Sequence, residues 1–213
     1  GGWLVVGGVV PVGLFGGLMK EMCVFLEQAF AGSGMGGVVL AMNYRVSGDE
    51  VGCIGGNSGA RLLIAEEELS GIAAGDAPVV LLDEAAQANV TRLAPDTAPA
   101  PMHVRQPRDL MRLMYTSGTT DRPKGVMLSY ENMYWKSADQ TLALGLNVDT
   151  RLLVVGPLYH VGALDLPGIA VLWHGGMLSI QRNFEPEAAL AAIESEKLSA
   201  AWFAPVMTTA ILT

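Results

Sequence analysis

The stretch from Tyr115 to Gly125, Y-T-S-G-T-T-D-R-P-K-G, gathers the residue types in this chain best suited to chemistry. Thr116, Ser117, Thr119 and Thr120 bring hydroxyls close together, Gly118 lets the backbone turn where a Cβ would clash, and Lys124 supplies a positive charge. Polyphosphate oxygens need many donors and a cation at short range, and a loop anchored by a strand offers both. Leu110 to Tyr115 reads as that strand. The residue order differs from the common P-loop, in which Gly-Lys-Ser/Thr opens directly into a helix. Here Pro123 precedes Lys124, Gly125 follows it, and Val126, Met127 and Leu128 read as a second strand. The spacing therefore predicts a strand–loop–strand phosphate clamp. A flexible surface turn of the same composition is the competing reading, but it requires neither the Pro-Lys-Gly ending nor the two apolar flanks.

Such a loop needs a scaffold. Met22, Phe25, Leu26, Ala29 and Phe30 recur at helical spacing, predicting a helix over 21–31 that Gly32-Ser33-Gly34 ends. Val38 to Met42 reads as a buried strand. Ser47 and Glu50 form a capping box that starts a short helix through Val51 and Ile54, with Gly55 and Gly56 weakening its end. Leu62 to Ile64 is a strand, Glu66 to Glu68 opens another short helix, and Val79 to Leu82 is a strand again. This alternation predicts an α/β fold, a mostly parallel sheet with packed helices. Pro95, Pro99, Pro101 and Pro107 then mark an extended connection. The division expected is an N-terminal α/β lobe at 1–93, a Pro-rich connection at 94–108, and a phosphate-loop lobe of the same domain at 109–213.

Beyond the loop, Ser129 caps a helix whose apolar stripe would be Tyr130, Met133, Tyr134, Ala138 and Leu142. Leu152 to Val155 is a strand aimed at His160. A helix over 169–173, a strand over 177–180, a helix opened by Pro186 with Leu190 and Ile193 on one face, and a strand over 200–203 complete the pattern. In open α/β sheets ligands gather beyond the carboxyl ends of strands, where both Thr116–Lys124 and Pro157–Gly162 fall.

The net charge of −8 argues against a general nucleic-acid binder. Arg105, Arg108, Arg112, Arg122 and Lys124 against Asp109 and Asp121 make the loop's neighbourhood locally basic, unless the upstream arginines are merely solvated. Cys23 and Cys53 lack metal-ligand spacing and read as reduced core residues, which suits the cytoplasm. His103, His160 and His174 are too scattered to propose a zinc site. Residues 1–19 are uncharged and apolar, yet rich in glycine and interrupted by Pro11, so a buried strand and turn is favoured over a membrane segment.

The run T-S-G-T-T-x-x-P-K-G-V from Thr116 to Val126 resembles the phosphate-binding signature of the adenylate-forming enzymes. These include acyl-CoA synthetases, aryl-CoA ligases, luciferases and peptide-synthetase adenylation domains. Leu128-Ser129-Tyr130-Glu131-Asn132 is similar to the family's next segment, and Gly156-Pro157-Leu158-Tyr159-His160-Val161-Gly162 to its histidine motif. Asp121 departs from the pattern, standing where the family usually has glycine. A solvated carboxylate there would weaken triphosphate binding by about 1 kcal/mol, which the neighbouring Arg122 would offset.

The resemblance implies part of the large N-terminal domain of an adenylate-forming ligase, with Gly1 and Thr213 as cuts through a longer polypeptide. It implies ATP, Mg²⁺ and coenzyme A as cofactors, and a carboxylic acid as substrate. Thr116, Ser117, Gly118, Thr119, Thr120 and Lys124 would hold the phosphates, Thr116 would touch the metal, and His160 and Lys124 would act in catalysis. The parent would activate a carboxylic acid, leaning towards fatty or other simple acids over amino acids, to an acyl-adenylate and then an acyl-CoA. No aromatic-Gly-x-Thr-Glu segment for Mg²⁺ is found in the 213 residues, so the chain alone is expected to be inactive. The alternative is a short, non-catalytic nucleotide-binding or interaction protein. A core cut part-way through a sheet would also expose an edge and favour self-association.

Overall fold

The computed structural model describes residues 13–20, 23–83, 102–116 and 123–213. By contacts the chain divides into two compact units: Gly1–Met19 with Val24–Tyr130, and Lys20–Cys23 with Glu131–Thr213.

The first unit is built on strands β1 (Leu14–Leu18), β2 (Val38–Met42), β3 (Leu62–Glu66), β4 (Val79–Leu82), β5 (Leu110–Thr116) and β6 (Lys124–Ser129), in the order β4-β3-β1-β2-β5-β6. All neighbouring pairs are parallel except β5 with β6, which is antiparallel. This is the mostly parallel α/β sheet that the alternation predicts. Helix α1 (Cys23–Gly34) links β1 to β2, and helix α2 (Gly48–Ser58) links β2 to β3. A 3-10 turn at Glu67–Ile72 stands where the acidic run predicts a short helix. The strands flanking the Pro-rich connection share this one sheet, while residues 84–101 of that connection lie outside the described residues.

Part of the apolar N-terminal run is resolved as β1, a central strand in which Phe15 and Leu18 are fully buried. Among the described residues no helix is long and apolar enough to cross a membrane. Some of the glycine now has a cause. A Cβ on Gly32 of α1 would clash with the edge of the Phe15 ring, 2.1 Å from Cζ, and one on Gly37 would come within 3.1 Å of it. Helix α1 accordingly runs through Gly32-Ser33-Gly34 rather than ending there, and Gly32 leaves the space that the Phe15 ring of β1 occupies.

Helix α2 carries both bonds of the predicted capping box. Glu50 N donates to Ser47 Oγ at 3.3 Å, and Ser47 N donates to the Glu50 carboxylate at 2.9 Å. Gly55 and Gly56 do not stop it; the helix continues to Ser58 and closes on Gly59 at φ 72°, a left-handed conformation that glycine adopts without strain. Its Val51 and Ile54 join Leu18, Leu40, Met42, Leu63 and Leu113 in the core.

The second unit holds a three-stranded parallel sheet, β8 (Met177–Ile180), β7 (Arg151–Val154) and β9 (Ala200–Trp202) in that order. Around it are α3 (Tyr130–Leu144), a π-type segment at Val161–Gly168 followed by α4 (Ile169–Trp173), α5 (Pro186–Ser195) and α6 (Pro205–Leu212). The buried face of α3 is Met133 and Ser137, whereas Tyr134 and Leu142 of the expected stripe are exposed. Thr141 Oγ1 donates to the Ser137 backbone carbonyl and meets His174 Nε2 at 2.8 Å, while the buried Ser137 hydroxyl has no hydrogen-bond partner among the described residues. On α5 the buried residue is Ala189, with Ile193 packed beside it, and Leu190 faces out.

Two consequences can be measured. Gly32→Ala is expected to destabilise the chain by about 1–3 kcal/mol in urea unfolding, partly recovered by Phe15→Leu in the same chain. The Ser47 backbone N–H, then the Ser47 hydroxyl, hold the Glu50 carboxyl below its ordinary value of 4.5. The cap bond therefore contributes fully above that value and is lost as pH falls through the lower folded value. Amide exchange in the first turn of α2 should quicken over that acidic window, and Glu50→Gln should remove the pH dependence.

Candidate functional site

Each unit presents one of the two motifs that the sequence singles out. In the first unit, β1, β2, β3 and β5 run parallel, so their carboxyl ends share one edge of the sheet. Thr116 is the last residue of β5 on that edge, Lys124 is the first of β6, and the two are register partners, both exposed. The antiparallel return thus sets a hydroxyl and an ammonium at the mouth of the hairpin, as a strand–loop–strand arrangement requires. Ser117, Gly118, Thr119 and Thr120, with Asp121 and Arg122, lie outside the described residues.

The next pair in register is Tyr115 with Gly125. A Cβ at Gly125 would sit 3.2 Å from Tyr115 Cζ and 3.4 Å from Leu113 Cδ1, so the phenol ring lies across the glycine. Tyr115 also packs on the core, and its hydroxyl donates to Asn57 Oδ1 at 2.5 Å. Burial, followed by the charge of Cys53, pushes that hydroxyl above its ordinary value of 10.0, which keeps the donating proton in place.

The locally basic neighbourhood is smaller than the charge pattern suggests. Arg105 and Arg108 precede β5 and stand at the opposite end of a seven-residue strand from Thr116, about 20 Å away. The Arg105 guanidinium stacks over the Tyr130 ring at 5.1 Å, and that phenol bonds Ser33 of α1. Arg112 is buried in mid-strand. Of the described members of that cluster, Lys124 is the cation beside Thr116. Cys23 and Cys53, expected in the core, are free thiols on exposed positions of α1 and α2. No group of three or more His, Cys, Asp or Glu able to hold a metal occurs among the described residues.

In the second unit β7 delivers the chain to His160, which is exposed and heads the Val161–Gly168 segment. His160 N donates to Pro157 O at 3.0 Å, and Gly162 N donates to His160 Nδ1 at 3.3 Å. With Nδ1 occupied as an acceptor, the neutral ring carries its proton on Nε2 and presents it as a donor. The motif's glycines are set by an aromatic side chain some forty residues on: a Cβ at Gly162 would clash with the Trp202 ring at 2.4 Å, and one at Gly156 would lie 3.0 Å from it. Trp202 thus buttresses the histidine turn. Phe203 belongs to the core, edge-on to Phe184 with ring centroids 6.3 Å apart.

The sequence does not single out Asn57 as a site residue. It lies in a glycine-rich helix end, and its contact with Tyr115 spans 58 residues. Trp202 falls within the strand expected over 200–203, where sequence does not distinguish it from an ordinary core aromatic.

Nitrogen-15 spectra of histidine-labelled protein at alkaline pH should show His160 as the Nε2–H tautomer. Gly162→Ala, by driving Trp202 away, should mix in the other tautomer.

The sequence model of the AMP-binding enzyme family matches residues 3–213. Feruloyl-CoA synthase from an Amycolatopsis species is 33% identical over 188 residues, which is 88% of this chain and 37% of that protein. The 2-succinylbenzoate–CoA ligase of Geobacillus kaustophilus is 33% identical over 172 residues, 81% of this chain and 34% of that protein. The chain therefore spans little more than a third of the length of these curated relatives. Among solved structures, O-succinylbenzoate coenzyme A synthetase from Bacillus subtilis in complex with AMP superposes with a TM-score of 0.84 at 21% identity, covering 99% of this chain and 54% of that one. ATP-bound MatB from Rhodopseudomonas palustris gives 0.86 at 24%, covering 99% and 42%. Those two likenesses establish the fold, and the match over nearly every residue establishes the family: this chain belongs to the AMP-binding enzymes.

Proposed function

We propose that the chain contributes part of the nucleotide site of an acid–thiol ligase that activates a carboxylic acid with ATP and passes the acyl group to coenzyme A. The observation that carries this reading is the register pairing of Thr116 with Lys124 on the carboxyl edge of the sheet. Lys124, with the hydroxyls of Thr116, Ser117, Thr119 and Thr120 and the backbone at Gly118, would hold the β- and γ-phosphates. Mg²⁺, when bound, neutralises phosphate charge, and Thr116 is the residue of this chain proposed to touch it. In the first step a carboxylate oxygen bonds to the α-phosphorus and the bond to pyrophosphate breaks. In the second a thiolate attacks the acyl carbon and AMP leaves. His160, through its Nε2–H, would donate to oxygen at the acyl or α-phosphoryl group, and Lys124 would offset developing charge on the departing pyrophosphate.

The acid class is a further part of the proposal. The motif residues lean towards fatty or other simple acids, while the names feruloyl-CoA synthase and 2-succinylbenzoate–CoA ligase point to acids that carry an aromatic ring. Similarity over most of the chain favours the ring-bearing class. A cytoplasmic parent fits two free cysteines.

Calorimetry with MgATP tests the site directly. The chain should bind, Lys124→Ala should lose roughly ten-fold or more of the affinity, and Asp121→Gly should strengthen it by about five-fold. Binding only after Asp121→Gly would favour the non-catalytic alternative, and binding unaffected by Lys124→Ala would overturn the assignment. The chain by itself should not move radiolabel from pyrophosphate into ATP.

A further inference from the structure

Three features lie outside the motifs that the proposed function uses: the polar face of α3, the exposed rings of Tyr134, Trp135 and Trp173, and the bond between Asn57 and Tyr115. The last has geometry on every side. The Tyr115 ring lies across Gly125, its backbone faces Gly125 in the ladder, and its hydroxyl reaches across to the final turn of α2. Asn57 is one helical turn beyond Cys53, and Ile54 on that helix is locked into the core. The phenol therefore bridges a rigid helix and the open end of the β5–β6 ladder. That end is where Thr116 and Lys124 stand.

We infer that Asn57 is a positioning residue: by accepting from the Tyr115 hydroxyl it clamps the mouth of the β5–β6 hairpin and fixes the spacing of Thr116 and Lys124 for a phosphate. The inference rests on the nucleotide reading given above for its ligand. Beyond Met114, where pairing with β2 ends, the ladder is two-stranded, and without the clamp only its own bonds and the packing of the Tyr115 ring oppose fraying. With it, opening Thr116 from Lys124 must also break a side-chain bond anchored in α2. Neither Asn57 nor Tyr115 touches the phosphate in this assignment; they act through the hairpin.

In the full chain, Asn57→Ala is expected to speed amide exchange at Tyr115, Thr116 and residues 124–126 by about five-fold, and to weaken MgATP binding by a similar factor. Amides of Leu63 and Ile64 in β3 should keep their rates. Asn57→Asp, whose carboxylate still accepts from the phenol, should stay within about two-fold of wild type on both readouts. Tyr115→Phe should reproduce Asn57→Ala, and the double variant should add nothing further. Unchanged exchange in Asn57→Ala, equal damage from Asn57→Asp, or faster exchange spread through β3 would each overturn the clamp. A wild-type chain that binds no MgATP overturns the nucleotide reading itself, a failure distinct from one in which wild type binds and Asn57→Ala binds equally well.

Discussion

The antiparallel return of β6 along β5 is the constraint on which the nucleotide reading depends. A purely parallel sheet sends each strand's successor away through a helix, so nothing brings the chain straight back to the edge it has just left. The β5–β6 pair is the exception in this sheet. It takes residues eight apart in sequence, Thr116 and Lys124, and makes them backbone neighbours at the edge where the carboxyl ends of five parallel strands gather. The core beneath it, Leu113 and Tyr115 against Val51 and Ile54, gives the hairpin a fixed base. An ammonium is useful to a phosphate only if it does not wander, and here its strand begins at that residue.

The second unit solves the same positioning problem without a hairpin. The chain leaves β7, turns at Pro157, and is fixed by bonds of its own backbone to Pro157 O and His160 Nδ1. The turn is tight because two of its residues have no side chain, and the space they leave is taken by Trp202 from β9. Rigidity comes from packing an aromatic ring against glycine. No buried charge is needed to hold the imidazole's orientation.

Strands and the hairpin were legible in sequence because their signals are local. Val38 to Met42 and Val79 to Leu82 are short apolar runs of β-forming residues, and the predicted bounds coincide with β2 and β4. The capping box at Ser47 and Glu50 is a four-residue pattern and needs no distant partner. What stayed hidden depends on contacts far apart in the chain. Gly32 reads as a helix end until Phe15 is seen to occupy the space its Cβ would take. Helix α3 reads as an apolar stripe, yet the face it buries holds Ser137, with the half-buried Thr141 beside it meeting His174. Arg105 reads as part of a phosphate-binding cluster, but a strand's length separates it from Thr116 and an aromatic face occupies its guanidinium. Sequence proximity to a motif overestimates spatial proximity whenever an extended strand lies between.

The Gly162–Trp202 contact ties the histidine turn to a strand that arrives forty residues later, and this shapes how the chain can change. A larger residue at 162 is accommodated only if the indole at 202 shrinks, and a smaller residue at 202 leaves the two glycines facing a void. The two positions should therefore be inherited as a pair. Anyone grafting the histidine turn from one member of this family into another transfers half of an interlock unless the strand that ends in Trp202 travels with it.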